Sequence, residues 1–292
     1  MENTEVVKHA FLIIAHNEFG ILQRLLDALD DERIDFYVHI DKKVKELPVL
    51  HTEKSGLFMV KNRIDTRWGD VSQIKTELSL FKEAYHPGEY CFYHLISGVH
   101  YPLKPVDEIL AFYESHIGKA ILDRFGKDAP NQEEIKIHRY NFFTRGYAYG
   151  HCKKLSQKLW RLTNELQGKL KIRRHKSMDS YKASNWLSLP EDILKFIIDY
   201  EDKIISDYRF TFCGDEHFIP TQLMVSIFKT KIFKADNILY QIFGKANPRV
   251  LDREDFDDIK KSNCLFARKF SSKDSTIIDL ISQSVIKAKI QA

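Results

Sequence analysis

His9-Ala10-Phe11-Leu12-Ile13-Ile14-Ala15 is a nearly unbroken apolar run close to the start of the chain. A short run with no polar alternation suits a strand covered on both faces, as in a parallel sheet with helices above and below. His16-Asn17-Glu18 ends it. Ile21, Leu22, Leu25, Leu26 and Leu29 then recur at helical spacing. A second strand is expected at Phe36–Ile40, ending at Asp41-Lys42-Lys43, and a third at Gly56–Val60. Strand, helix and strand in this order predict a Rossmann-type βαβ opening.

Ligands of such sheets bind beyond the carboxyl ends of the strands. His16 and Asp41 therefore stand where a nucleotide is expected. The chain has neither a G-x-G-x-x-G fingerprint nor a P-loop, so an ordinary dinucleotide or ATP site is not supported.

The alternation continues downstream. Thr66-Arg67-Trp68-Gly69-Asp70 reads as a turn, with Asp70 or Ser72 placed to cap a helix carrying Ile74, Leu78, Leu80, Phe81 and Ala84. Tyr90–Ile96 reads as a strand, followed by a Ser97-Gly98 loop that Pro102 stiffens. A helix over 106–115 and a strand near Ala120–Leu122 complete this half. Beyond it, Ala183–Leu189 reads as a strand, Pro190 opens a helix over 191–201, and Leu265–Phe270 reads as a late strand. A terminal helix is expected over 275–288.

Residues 124–181 differ in character. They are polar, aromatic and strongly basic toward their end, with Leu155, Leu159, Trp160, Leu162 and Leu166 at roughly helical spacing. A basic amphipathic helix over 151–176 suits peripheral contact with a membrane surface. It suits equally a surface helix with a solvated basic face.

Cys213-Gly214-Asp215-Glu216-His217-Phe218 sets two carboxylates between a glycine and an apolar segment. Gly214 lets the backbone turn. Asp215 can cap the next helix, whose buried side would hold Phe218, Ile219, Leu223 and Ile227. A carboxylate presented at a turn and braced by a helix is a common setting for a general base. The same pair reads as ordinary helix-start decoration.

Composition narrows the class. The chain has 292 residues, 43% of them hydrophobic, and a net charge of +4. That charge is too small to point to a nucleic-acid binder, and no zinc-finger or RNA-binding signature is present. The four cysteines lie far apart with no CxxC pair, which argues against a zinc site. No signal peptide, bilayer-length apolar run or internal repeat is seen, so reduced thiols and a cytoplasmic location are expected, on the inner face of the membrane if the basic segment docks.

Taken in order, these segments resemble the core 2/I-branching β-1,6-N-acetylglucosaminyltransferase family, which also contains peptide O-xylosyltransferases. The likeness is carried by Ala15-His16-Asn17, Val38-His39-Ile40-Asp41, Arg67-Trp68-Gly69, Ser97-Gly98 with Pro102-Leu103, Ser184-Asn185-Trp186, Gly214-Asp215-Glu216 and Leu265–Phe270. It runs along most of the chain and is weakest over 124–181.

The resemblance implies a single GT-A-like α/β domain over 1–292, with a mixed central sheet flanked by helices. Residues 1–123 would form the nucleotide-binding half and 182–292 the acceptor and catalytic half. It implies an inverting transfer from a UDP-sugar, UDP-GlcNAc or UDP-xylose, to a glycan hydroxyl without a divalent metal. Glu216 would be the general base. His16, Asp41, Arg67, Trp68 and Gly69 would line the nucleotide pocket, and Arg249 and Lys269 would hold the diphosphate. His100, Arg139, Trp186 and Asp215 fall in segments near the acceptor. His100 departs from the pattern, because the family commonly has an Asp there.

The expected chemistry agrees with these residue types. A sugar hydroxyl is a poor nucleophile and needs a carboxylate to take its proton. Negative charge grows on the leaving diphosphate, and cations must meet it. Many enzymes of this fold use a metal held by Asp-x-Asp. The match here, Asp255-Phe256-Asp257, sits in an acidic helix start and reads as such. Arg and Lys are expected to supply the charge. The alternatives are a non-catalytic nucleotide-sugar or glycan binder, and a metal-dependent transferase. The absence of an anchor and of a disulfide framework points to a bacterial relative acting on surface polysaccharide.

Overall fold

In the computed structural model, residues 7–244 and 248–283 are described. The apolar run forms β1 (Lys8–Ala15), whose side chains alternate between two buried faces. It leads into α1 (Phe19–Leu29), which buries Ile21, Leu22, Leu25, Leu26 and Leu29. Each such side chain contributes about 1.5–3 kcal/mol of burial energy. β2 (Ile34–Ile40) and β3 (Gly56–Met59) extend the sheet in parallel on one side of β1, and β4 (Tyr90–Ser97) pairs in parallel on the other. Between β3 and β4 lies α2 (Ser72–Ala84), where Asp70 Oδ1 accepts from the Ser72 N–H at 3.0 Å.

After β4 come β5 (His100–Pro102), α3 (Val106–Glu114), β6 (Ala120–Asp123), α4 (Pro130–Lys136) and α5 (Lys153–Lys169). The chain continues through β7 (Leu187–Leu189), α6 (Glu191–Asp199), α7 (Glu201–Tyr208) and α8 (Phe218–Met224). It closes with β8 (Ile232–Ala235), β9 (Leu239–Tyr240), α9 (Phe256–Lys261), β10 (Phe266–Arg268) and α10 (Thr276–Ile281).

The main sheet has the order β3-β2-β1-β4-β7-β6-β8, with β7 antiparallel to both neighbours. It is the mixed, helix-flanked arrangement expected from the sequence. One face packs Ala10 and Leu12 against Leu78 and Phe81 of α2 and Ile193 and Ile197 of α6. The other packs Phe11 and Ile13 against Leu22, Leu25 and Leu26 of α1 and Ile109 and Leu110 of α3. A small second sheet, β5-β10-β9, carries its own cluster of Tyr101, Ala267 and Phe270 with Ile277, Ile278 and Ile281 of α10. Glu18 ties this part to the start of α1 by accepting from the Ser271 and Ser272 hydroxyls at 2.9 and 2.6 Å.

Several elements differ from expectation. Of the strand expected over Ala183–Leu189, Leu187–Leu189 alone joins the ladder. The Ala183 and Ser184 N–H groups donate instead to Glu216 O at 3.0 Å and Asp123 O at 2.8 Å. The late strand shortens to Phe266–Arg268, whose partners are Pro102–His100 and Leu239–Tyr240. The terminal helix is seen as Thr276–Ile281, and the remainder of its expected span from 284 lies outside the described residues. No helix among the described residues is long and apolar enough to cross a membrane.

Candidate active site

The carboxyl ends of β1, β2 and β4 open onto a cavity of about 640 Å³, a volume in the range of small-molecule and cofactor sites. β1 contributes His16 and Asn17, β2 contributes Asp41, and β4 contributes Ser97 and Gly98. Burial pulls the His16 imidazole below its ordinary value, and the Asp41 charge opposes that shift. Asp41 is itself buried. Its Oδ1 accepts from the Lys43 N–H at 2.8 Å and its Oδ2 from Lys43 Nζ at 2.7 Å.

The loop before α2 forms the next wall. Lys43 also reaches Asp65 at 2.9 Å, and Arg67 pairs with the same carboxylate at 2.8 Å. The Arg67 hydrogen bond holds Asp65 at about 2. Trp68 lines the cavity and stands edge-on to Phe212, ring centres 5.3 Å apart. Gly69 has φ of +76°, and a Cβ there would lie 2.5 Å from the Phe212 ring. Glycine is therefore required on both counts. The Gly69 carbonyl accepts from the Cys213 N–H at 3.1 Å, which couples this loop to the acidic turn.

That turn is built differently from the helix cap expected. Gly214–Glu216 is one 3-10 turn, and Cys213, not Gly214, takes the left-handed conformation with φ of 53°. Gly214 is needed for close packing instead, since a Cβ would meet Tyr208 at 3.1 Å and Ile74 at 3.3 Å. Asp215 caps nothing by its side chain. It is buried beneath the turn, where Gln73 Nε2 donates to its Oδ2 at 2.8 Å. Burial, reinforced by the Glu216 charge, pushes Asp215 up to about 7. α8 buries Phe218, Ile219 and Leu223 as expected. Ile227 is instead 85% exposed, because the chain leaves α8 at Met224.

Glu216 stands at the cavity surface with its side chain 35% exposed. Lys182 Nζ lies 3.1 Å from its Oε2 and Lys136 Nζ 3.8 Å. Lys136 is shared with Asp128 at 2.8 Å. His217, with Nε2 3.6 Å away, and the Lys136 hydrogen bond hold the Asp128 carboxyl below its usual range.

Sequence reasoning missed a third acid on this wall. Glu77 is fully buried and lines the cavity one helical turn beyond Gln73. Burial raises its pKa well above the ordinary value, and the Asp215 charge adds to it. Asn185 faces it, yet neither Glu77 oxygen has a partner within normal hydrogen-bond geometry. A signal was present. Glu77 falls among Ile74, Leu78 and Phe81 on the apolar stripe of α2, where a carboxylate is out of place. Lys136 and Lys182 were also missed, because the end of α4 and the segment before β7 reach Glu216 from far along the chain.

The opposite chemistry comes from the end of β10. Lys269 and Arg268 both line the cavity. The Arg268 guanidinium lies 4.7 Å from the centre of the Trp186 ring, which also lines it. Burial draws Arg268 down to about 10, and burial with the Arg268 charge lowers Lys269. Arg124 joins the lining from the end of β6.

Other expected site residues lie elsewhere. Arg249 follows Pro248, a lining residue, but its guanidinium is turned to Asp255, with Nη1 to Oδ2 at 2.8 Å. Asp255 also forms a capping box with Asp252, so Asp255-Phe256-Asp257 is a helix start. Arg67 and Gly69 brace the wall behind Trp68. His100 is buried, with Nδ1 2.7 Å from the Ser97 hydroxyl and its ring 5.0 Å from that of Trp186. Burial lowers its pKa well below the ordinary value. Arg139 donates to the Asn164 carbonyl of α5 at 2.9 Å. Among the described residues, no group of three or more His, Cys, Asp or Glu is arranged to hold a metal ion.

Comparison with known proteins gives the family. The family model Core-2/I-Branching enzyme matches residues 9–250. Rat xylosyltransferase 2 is 25% identical over 229 residues, 75% of this chain and 24% of that protein. Human xylosyltransferase 2 is 24% identical over 232 residues, 76% of this chain and 25% of that protein. The chain thus spans about a quarter of the length of these curated relatives. Among solved structures, apo mouse xyloside xylosyltransferase 1 superposes with a TM-score of 0.41 at 9% identity, covering 90% of this chain and 97% of that one. The Mn/GDP form of Aspergillus fumigatus core-mannan synthase A gives 0.40 at 11% identity, covering 80% and 74%.

Proposed function

The chain belongs to the Core-2/I-Branching enzyme family, and we propose that it is an inverting glycosyltransferase moving a sugar from a UDP-sugar to a glycan hydroxyl. The observation that carries this reading is one cavity whose lining holds Glu216, the strand-end pair His16 and Asp41, and the cations Arg268 and Lys269.

Glu216 is the general base. It takes the hydroxyl proton as the acceptor oxygen attacks the anomeric carbon from the face opposite UDP. Lys182 and Lys136 compensate its charge and fix its position. Asp41 and His16 receive the nucleotide base at the strand ends. Lys269 and Arg268 meet the charge that develops on the departing diphosphate, as preorganised cations in a partly dry site. Arg249 joins them by exchanging Asp255 for phosphate. With the charge met by side chains, the reaction proceeds without a divalent metal. Trp186 offers a ring face for a sugar.

GlcNAc is the proposed donor sugar, and a surface polysaccharide the proposed acceptor. UDP-xylose is the second reading, favoured by the names of the curated relatives. Four free thiols, Cys91, Cys152, Cys213 and Cys264, support action in a reducing compartment, the cytoplasm.

A donor screen tests this. The protein is incubated in EDTA with UDP-GlcNAc, UDP-xylose, UDP-GalNAc or UDP-glucose, with and without glycan acceptors, and UDP release is followed. Release from one donor that vanishes in Glu216→Gln establishes the reaction and names the sugar. UDP binding with no turnover from any donor would make the protein a nucleotide-sugar binder. Turnover that EDTA abolishes would overturn the metal-independent account.

A further inference from the structure

α5 is amphipathic with its faces reversed. The side packed onto the protein is polar apart from the half-buried Trp160: Asn164 and Gln167 are its buried residues. Gln167 Oε1 accepts from the Tyr140 N–H at 2.7 Å, and its Nε2 donates back to the Tyr140 carbonyl at 2.9 Å. Trp160 Nε1 donates to Asn141 Oδ1 at 2.9 Å. These bonds anchor the helix without using its leucines.

The leucines face outward. Leu155, Leu162, Leu166 and Leu170 are 55%, 58%, 53% and 60% exposed. Their spacing sets them in one stripe along a helix of 17 residues. A surface helix of a globular protein places such a stripe against the core; here hydrogen bonding occupies that side. Lysine flanks the stripe at 153, 154, 158, 169 and 171, joined by Arg161, and Glu165 is the sole acid between Lys153 and Arg173. Among the described residues, none of these lysines nor Arg161 forms an ion pair within the chain.

We propose that α5 docks the protein onto an anionic bilayer surface, leucines in the interface and lysines among the headgroups. The chemistry fits that occupant. An interfacial helix combines an apolar stripe with basic flanks and lies in the plane of the membrane. Anionic headgroups supply the charge that the lysines lack on the protein. A second copy of the chain does not fit as well, since pairing two such stripes sets lysines against lysines. The helix also backs onto the cavity wall. The Trp160 ring stands 5.2 Å from that of Tyr147, which is 6.1 Å from that of Trp68 in the lining. Docking would set α5 between the membrane and the cavity wall. The inference does not depend on what the cavity binds.

Flotation with lipid vesicles tests it on the full chain. Phosphatidylcholine vesicles are compared with vesicles that also contain phosphatidylglycerol, at low and high salt. Binding is expected to need phosphatidylglycerol and to weaken with salt. Leu162→Gln with Leu166→Gln, and separately Lys154→Glu with Lys158→Glu, should each weaken it at least about tenfold. Both variants should keep the parental melting midpoint, because the altered side chains are exposed. No binding to anionic vesicles would overturn the proposal, as would binding that survives both variants. A concentration-dependent dimer in sedimentation, dissolved by the leucine variant with no vesicle binding, would assign the face to a second copy instead.

Discussion

Gln73 donates to Asp215 across 142 residues of chain, Nε2 to Oδ2 at 2.8 Å. This bond joins α2, which packs into the core through Ile74, Leu78 and Phe81, to the acidic turn. It leaves Asp215 held from below while its neighbour Glu216 meets the cavity beside Lys182. Both carboxylates line the cavity, Asp215 buried and bonded from α2, and Glu216 partly exposed and paired with lysine.

Replacing Glu216 by Gln should therefore abolish transfer and spare binding. The substitution keeps size and removes the proton acceptor. The turnover number is expected to fall by about 10²–10⁴-fold. UDP affinity by calorimetry should change little, because the proposed reaction sets Glu216 on the acceptor side, opposite UDP. Equal loss of both would show that Glu216 serves binding.

Asp215 predicts a pH dependence of stability with a definite sign. Its folded pKa of about 7 lies above the ordinary 3.8, so the folded protein binds a proton more tightly than the unfolded chain. Stability then falls as pH rises from about 4 through 7. Asp215→Asn mimics the protonated acid and should remove that part of the slope. The variant should match the parent near pH 4 and exceed it near pH 8, by on the order of 2–4 kcal/mol. Melting midpoints across this range, for both proteins, check it. A variant less stable at pH 8 would refute the assignment.

Arg249 and Lys269 separate by a pair of substitutions. Lys269 lines the cavity, and Lys269→Ala should weaken UDP binding about 10- to 100-fold, the worth of one charge-assisted contact. Arg249→Ala should lower both UDP affinity and the melting midpoint, since Asp255 loses its partner. Asp255→Asn should lower the melting midpoint alone. If Arg249→Ala leaves UDP affinity intact, its role is confined to Asp255, and the diphosphate belongs to Lys269 and Arg268.

Gly69→Ala tests the wall behind Trp68. The new Cβ would face both a positive φ and the Phe212 ring at 2.5 Å. A loss of about 1–3 kcal/mol is expected, read as a lower melting midpoint. UDP affinity should fall with it, because Trp68 and Phe212 both line the cavity. Gly88→Ala is the control. It has a comparable φ of +79° but nothing near its Cβ, so it should cost less and leave UDP binding unchanged.

The alternating start of the fold was open to reading because its signals are local. Residues 9–15 lack polar alternation because both faces of β1 are covered. α1 shows its stripe because one side meets the sheet. Of the second sheet the late strand alone was legible, and it was read too long. The strands of that sheet are two or three residues long, too short for any period, and they exist because distant segments pair. Ala183–Ser184 misled for a related reason: their N–H groups donate to the acidic turn at Glu216 and to Asp123 at the end of β6, outside any ladder.

By itself, the sequence determined the strands and helices of the alternating first half, that His16 and Asp41 end adjacent parallel strands, and that Glu216 sits at a tight turn. Those facts depend on neighbours within a few residues. Tertiary structure decided the rest. It buried Asp215 and set Glu77 beside it, brought Lys136 and Lys182 to Glu216, and turned Arg249 toward Asp255. It also rotated α5 so that its leucines face outward. A helical period reveals that a stripe exists. Which side meets the protein depends on the hydrogen bonds the other side can make, and for α5 those partners, Tyr140 and Asn141, lie in a separate loop.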